Sequence, residues 1–368
     1  MTQFLTILLA LSTVVGVLYI LWRPHWTFVV VVMIFPLEQL LTVYIPLFRA
    51  KYWLFNIMVG FLALFAVMTR AMRRDPLASG YFNPVAILTW ILYGMWFVGY
   101  LYTLAPEEAA RRIVENTPYI GLLLVLTPLL IVDMQEFRRM VTGMMVAGTV
   151  LALLIVANPR SSFYSGRLTL DLGMVAGGVS NRSNPLALRE LGGMVALGAA
   201  LLRPASISPL FTLIRIAAFA TGMYLSIGSG SRGQVLAAVV TGVMFYPMAR
   251  RLANPKQFAV LCIGMAVLMG GMFMTFKLFI GYDNRERWDL WQMLQDTMLR
   301  MDYVSELLSA WLASPSRWLF GRGTQAFPAV SKYQHADYVH NVAGEVLGQH
   351  GLVGFAIYCT IVYLLIKS

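Results

Sequence analysis

Long apolar runs alternate with short polar breaks along the whole chain, at about 3–22, 25–44, 52–70, 84–103, 117–132, 140–158, 186–202, 210–227, 233–249, 257–280 and 341–365. Most are close to the roughly 20 residues an α-helix needs to cross the hydrocarbon of a bilayer. No soluble domain or low-complexity linker separates them. The pattern predicts an all-α polytopic membrane protein with about eleven transmembrane helices. Ten of these form a bundle over residues 1–280, a polar segment follows over 281–339, and a last helix occupies 340–368. The polar segment has its own helical period. Trp288, Trp291, Leu294 and Met298 recur at spacings of three and four, and Val304, Leu307, Leu308, Trp311 and Leu312 continue the stripe. Amphipathic helices rich in Trp and Leu beside a bilayer tend to lie in its interface.

Composition sharpens this picture. The 368 residues are 59 % hydrophobic and 12 % charged, against about 25 % charged in a soluble domain. Mean hydropathy is +0.70. A net charge of +11 would ordinarily suggest nucleic acid, but the basic residues sit between apolar runs, which argues against it. Of the 28 basic residues only five are lysines. Arginine carries a planar fork of donors that matches phosphate, whereas lysine is a point charge. Cys262 and Cys359 both fall inside apolar runs and report no redox compartment. The first run lacks a basic leader and an A-x-A site, so it reads as a retained helix.

Loop charges set the expected orientation. Arg70, Arg73 and Arg74, Arg138 and Arg139, Arg203, Arg250, Arg251 and Lys256 fall on one face when the spans alternate. That face is cytoplasmic by the positive-inside rule, which puts loops 104–116, 159–185, 228–232 and 281–339 outside. The N-terminus then lies outside and Lys367 inside, although the first two runs also fit one helix plus a re-entrant segment. The outer loops nevertheless hold Arg160, Arg167, Arg182, Arg232, Arg285, Arg287, Arg300, Arg317 and Arg322. Long loops cross whatever their charge, yet arginines beside helix starts also suit an anionic ligand at the outer surface.

Several stretches are placed to carry chemistry. Gly228-Ser229-Gly230-Ser231-Arg232-Gly233-Gln234 joins two helices with almost no loop. Glycines let backbone N–H groups approach a ligand, Ser231 caps, and Arg232 brings charge to a helix N-terminus, so the stretch reads as a diphosphate cradle or as a plain tight hairpin. It is no P-loop, for no Gly-Lys-Ser/Thr follows. Ser180-Asn181-Arg182-Ser183-Asn184-Pro185, preceded by Gly166-Arg167-Leu168, predicts a helix start with Ser183 or Asn184 as cap and Pro185 first in the helix. Tyr338-Val339-His340-Asn341-Val342-Ala343-Gly344-Glu345 closes the polar segment and opens the last helix. Its His-Asn pair reads as a helix cap or as a functional histidine at a dipole end that favours anions. His335, Asp337 and His340 match no zinc spacing, so no metal is expected. Glu38, beside Pro36, is the deep carboxylate and reads as a polar contact between helices.

Taken in order, four of these stretches resemble the O-antigen ligase and polymerase superfamily, the membrane enzymes that handle polyprenyl-diphosphate-linked glycans. Ser231-Arg232-Gly233 is similar to its S-R-G, and Arg287-Trp288-Asp289-Leu290-Trp291 to its R-x-x-x-W. Leu319-Phe320-Gly321-Arg322-Gly323, closing on Phe327, looks like its G-x-G…F turn. His340-Asn341 with Glu345, Gly351 and Gly354 matches H-N-x-x-x-[E/Q]-x5-G-x-x-G. The likeness covers about residues 160–365, and the first 150 agree in hydropathy alone. The family pattern continues with further helices where this chain stops at Ser368, so the chain reads as a fragment or as a shortened member.

The resemblance implies a GT-C-like fold and an inverting glycosyltransferase of the bacterial inner membrane, needing no metal or cofactor and facing the periplasm. It moves a glycan from undecaprenyl or another polyprenyl diphosphate to a lipid A-core hydroxyl, in lipopolysaccharide biosynthesis. Repeat-unit polymerisation and transfer to a protein hydroxyl are the alternatives, and a lipid-linked oligosaccharide transporter is the alternative from another class. Carried over by residue, His340 is the catalytic group, and Arg232 and Arg287, with Ser231 and Gly233, bind the donor diphosphate. Arg167, Asn184, Arg322, Asn341 and Glu345 are expected in support. The chemistry is consistent with these residue types. A diphosphate is a good leaving group, so the main demand is charge stabilisation, which arginines and helix N-termini supply. A histidine, with an ordinary pKa of about 6.5, suits removal of the acceptor hydroxyl proton or orientation of that hydroxyl.

Overall fold

The computed structural model describes residues 15–20, 22–51, 53–73, 82–131, 133–164, 166–174, 180–202, 208–250, 254–279, 289–333 and 339–367. After a short 3-10 turn, Pro24–Trp26, come helices α1 (Thr27–Val32), α2 (Ile34–Tyr44), α3 (Pro46–Ala50), α4 (Trp53–Met72), α5 (Pro84–Tyr100), α6 (Pro106–Leu130) and α7 (Met134–Val156). Strands β1 (Ser161–Tyr164), β2 (Arg167–Met174) and β3 (Ser180–Arg182) follow. The chain continues through α8 (Pro185–Leu201), α9 (Pro209–Gly228), α10 (Arg232–Arg250), α11 (Pro255–Phe279), α12 (Leu290–Leu312), the single turn α13 (Phe327–Val330) and α14 (Val342–Lys367).

Every apolar run from residue 25 onward overlaps one of these helices, and the first run lies mostly outside the described residues. Among the described residues, five helices are long and apolar enough to cross a membrane, or six if the bent pair Pro24–Val32 and Ile34–Tyr44 is one span. The protein is therefore a helical, multi-span membrane protein, with fewer spans by this measure than the eleven expected. Two runs fall short for visible reasons. Helix α5 has only 17 residues, and α8 has 17 and carries Arg189 and Glu190 in its first two turns. The run over 25–44 is broken at Met33, where its halves bend by 74°.

The chain divides into two compact units, Met1–Asp75 with Asp133–Asp289, and Pro76–Val132 with Leu290–Ser368. In the first, α8 packs against α7, α9 and α10. Glycines make this approach close: a Cβ on Gly192 would stand 2.6 Å from the Gly222 carbonyl oxygen, and one on Gly222 would stand 2.7 Å from that of Gly192. Helices without a hydrophobic drive between them associate through such small-residue contacts. Gly148 faces Val195 and Gly143 faces the Trp26 ring in the same way. Arg70, which is 5 % exposed, donates to both oxygens of Glu136 at 2.8 and 2.9 Å. Glu38 is half-buried on α2, with Asn56 of α4 as its polar neighbour.

The small sheet was not expected from the apolar runs. β1, β2 and β3 pair antiparallel in chain order, with a register shift between Asp171 and Gly173. Leu168, Leu170 and Leu172 alternate along β2 and are buried, and Thr169 between the first two is buried as well, so this part of the strand is covered on both faces. Leu168 packs on Gly228, at the tip of the α9–α10 hairpin.

In the second unit, α12 lays Val304 and Leu307 against α14, Phe327 and Val339, and its buried Trp311 donates from Nε1 to the Arg317 carbonyl. Leu307 stands 2.4 Å from where a Cβ on Gly348 would be, so the two helices touch at a glycine. The opposite side of α12 leaves Trp291, Leu294, Met298 and Met301 exposed. Helix α14 is broken at Gly351, whose φ of 64° and ψ of −162° are not helical. Loop 318–324 replaces the missing hydrogen bonds. The backbone N–H groups of Arg322 and Gly323 donate to the Gly348 and Gln349 carbonyls, both at 3.0 Å. Leu352 and Val353 donate in turn to the Trp318 and Leu319 carbonyls at 2.9 and 3.1 Å. Thr324 fixes the loop to α5, its hydroxyl donating to the Trp96 carbonyl and its N–H to that of Gly99.

Candidate functional site

The predicted site residues fall into a group in each unit. In the first unit the group gathers at the α9–α10 hairpin. Helix α9 ends at Gly228, Ser229 is the C-cap, and Gly230 takes a φ of 69°, the left-handed conformation that lets the chain reverse within three residues. The Ser229 hydroxyl donates to the Ser226 carbonyl at 2.7 Å and fixes the turn from inside. Ser231 then opens α10: its carbonyl accepts from Val235 N at 3.2 Å. Arg232 is the first helical residue, half-buried, with one guanidinium nitrogen enclosed by protein. Gly233 is exposed, and nothing lies within 4 Å of where its Cβ would be. The backbone at Gly233 is thus open to an approaching group.

The start of α8 flanks this hairpin. Asn184 caps α8 by accepting from Leu186 N at 2.9 Å, with Pro185 first in the helix, as the motif predicts. Ser183, the other predicted cap, accepts instead from Leu170 N at 2.7 Å and locks β2 to the helix start. One turn further on, Arg189 donates from Nη1 to Ser231 Oγ at 3.1 Å. Sequence reasoning did not select Arg189, although it and Glu190 are the charged residues within the apolar run 186–202. Charge inside an apolar helix is the signal that would have found it. Arg167 is the first residue of β2, opposite Tyr164 and next to the Leu168 that covers Gly228. The Arg182 guanidinium stacks 4.0 Å from the Tyr164 ring centroid. Arg287, with Trp288, lies outside the described residues, as do His335, Asp337 and Tyr338.

In the second unit, His340 is exposed and stands two residues before the start of α14 at Val342. The helix cap is Asn341, whose Oδ1 accepts from Gly344 N at 2.9 Å. His340 therefore does not make the cap. Its φ is 60°, a left-handed conformation that costs a non-glycine residue about 1–2 kcal/mol. Such strain persists where the surroundings over-determine it, and it clusters at functional sites. The His340 ring stacks on Tyr303 with centroids 6.5 Å apart and planes 22° from parallel. Tyr303 also meets Phe327 and Tyr333, at 5.4 and 5.0 Å, so the α12 tyrosine that stacks on the imidazole is itself held by two further rings. Beside it, Glu306 accepts from Ser331 Oγ at 3.0 Å and pairs with Lys332 at 3.3 Å. Those contacts, from Glu306 first and then Tyr333, hold the Lys332 ammonium above the ordinary lysine pKa.

The other predicted members of this group are tied into the framework. Glu345 Oε1 accepts from Gln349 Nε2 at 2.9 Å, and Gln349 Oε1 accepts from Gln325 N at 3.2 Å. Arg322 Nη1 donates to the Ala310 carbonyl of α12 at 2.5 Å, while its backbone N–H holds the broken turn of α14. The structure thus brings Arg322, Asn341 and Glu345 to the elements that position His340. It brings Ser231, Arg232, Gly233, Asn184 and Arg167 to one hairpin and its neighbours. No family model, no curated protein and no solved structure matches the chain.

Proposed function

We propose that the protein is an O-antigen ligase-like glycosyltransferase of GT-C-like architecture in the bacterial inner membrane. It moves a glycan from a polyprenyl diphosphate carrier to a lipid A-core hydroxyl at the periplasmic face. In this reading the hairpin arginine Arg232, with Ser231, the open backbone at Gly233, and Arg287, receives the diphosphate. His340 takes the proton of the acceptor hydroxyl as its oxygen attacks the anomeric carbon and the C1–O bond to the diphosphate breaks. Guanidinium groups stabilise the charge that collects on the leaving diphosphate. The configuration inverts because there is a single displacement.

The observation that carries the reading is the backbone of His340. A strained histidine directly before the residue that caps a helix is better explained by a task for the imidazole than by capping. The test is purified protein given a polyprenyl-diphosphate glycan and a panel of acceptors, with product masses measured. A product on lipid A-core supports the ligase. Extension of the carrier-linked glycan itself replaces it with a polymerase, and a glycosylated peptide with a protein transferase. Carrier moved across a vesicle membrane with no glycosidic product would sink the enzyme reading.

A further inference from the structure

The geometry points to Arg189 as a second guanidinium of the α9–α10 hairpin site, the one that makes the site select a diphosphate over a monophosphate. This rests on the reading of that hairpin as the donor site and deepens it.

Arg189 reaches the hairpin from another helix. Its Nη1 donates to Ser231 Oγ at 3.1 Å, so its head group stands beside the residue that precedes Arg232. Its Nε is shut off from solvent with no hydrogen-bond acceptor among the described residues. Among the described residues no carboxylate forms an ion pair with it, whereas the buried Arg70 has Glu136. The residue as a whole is half-buried, and the neighbouring Glu190 carboxylate feels its charge; Ser231 is its hydrogen-bond acceptor among the described residues, so its other donors remain available to an anion.

The backbone keeps it there. The Arg189 carbonyl accepts from Ser226 Oγ at 3.5 Å, on the last turn of α9. Glycine contacts at Gly192 and Gly222 clamp α8 to α9 one turn further along. Arg189 therefore reaches Ser231 from α8, Arg232 follows Ser231 at the start of α10, and the next residue, Gly233, is exposed with nothing within 4 Å of where a Cβ would be. One phosphate can be met by one fork of donors. Two forks carried on separate helices are matched to two linked phosphates, with the Ser231 hydroxyl between them.

The experiment measures binding of farnesyl diphosphate, farnesyl monophosphate and inorganic pyrophosphate to the purified protein in detergent, with phosphatidylglycerol vesicles as competitor. Wild type is expected to prefer the diphosphate. In Arg189→Gln that preference should fall by roughly ten- to a hundredfold through loss of diphosphate affinity, with monophosphate binding little changed. Arg189→Lys should fall between the two, because it keeps charge and loses the fork. A structural tether would weaken both ligands equally, so an unchanged ratio in Arg189→Gln overturns the inference. Phosphatidylglycerol displacing the diphosphate at equal concentration also overturns it, since the site would then be a lipid headgroup site. If wild type binds no farnesyl diphosphate while remaining folded, the hairpin reading beneath it falls as well. If Arg189→Gln does not fold, Arg189→Lys carries the same ratio test.

Discussion

At the scale of single residues, two side chains separate chemistry from architecture. Arg232→Lys keeps charge at the start of α10 but loses the planar fork, so donor-dependent transfer should drop about ten- to a hundredfold. Unchanged transfer in that variant would leave the Gly-Ser turn as a hairpin and nothing more. For His340, replacement by Ala should abolish product formation while leaving farnesyl diphosphate binding near wild type, because diphosphate contacts are assigned to arginines. His340→Gln keeps a hydrogen-bonding group without basicity and should fail as well if the imidazole removes a proton. Near-normal turnover in His340→Gln would instead make this an orienting residue. The neighbouring cap supplies the control. Asn341→Ala removes the acceptor for Gly344 N and should cost about 1 kcal/mol of stability. Transfer should remain far above that of His340→Ala, and equal losses from both changes would return the pair to a purely capping role.

At the scale of elements, the broken helix makes the sharpest stability prediction. Gly321 has a φ of 75°, and a Cβ there would fall 2.3 Å from the Gln349 backbone. Gly321→Ala therefore combines a left-handed alanine with backbone overlap and should cost about 3 kcal/mol or more, seen as a lowered thermal midpoint in detergent. Ala at Gly233, where space is open, should leave the midpoint almost unmoved. This contrast shows what was legible in the sequence. The apolar runs located the helices because burial in lipid is written in composition. Pro185 and Asn184 announced the start of α8 through capping chemistry that is local. The glycines of 321–323 and 351 were visible, but their purpose depends on hydrogen bonds between segments about 30 residues apart. Arg189 escaped for a similar reason: its partner, Ser231, lies 42 positions away. The strands escaped because Leu168, Leu170 and Leu172 form a short alternation inside a segment read as a loop.

For the whole molecule, orientation is the property that every functional claim presupposes. In a variant lacking Cys262 and Cys359, a cysteine at Ser331 should react with a membrane-impermeant maleimide in intact cells, and one at Ala253 should not. Reaction at Ala253 would invert the topology and move the hairpin and His340 to the cytoplasmic side. A last consequence concerns how such a chain is made. Helix α14, long and apolar enough to cross a membrane, has its ladder interrupted at Gly351, and amides and carbonyls on either side find partners in loop 318–324. Unpaired peptide groups in hydrocarbon are heavily penalised. Insertion of this segment and docking of the loop that precedes it in the chain are thus one event in biogenesis. A nascent chain whose loop has not yet docked would display a local polar defect within this span. Membrane quality-control proteases could recognise that defect, so loop variants such as Gly321→Ala should shorten the protein's lifetime in the cell before they alter any rate measured on the purified protein.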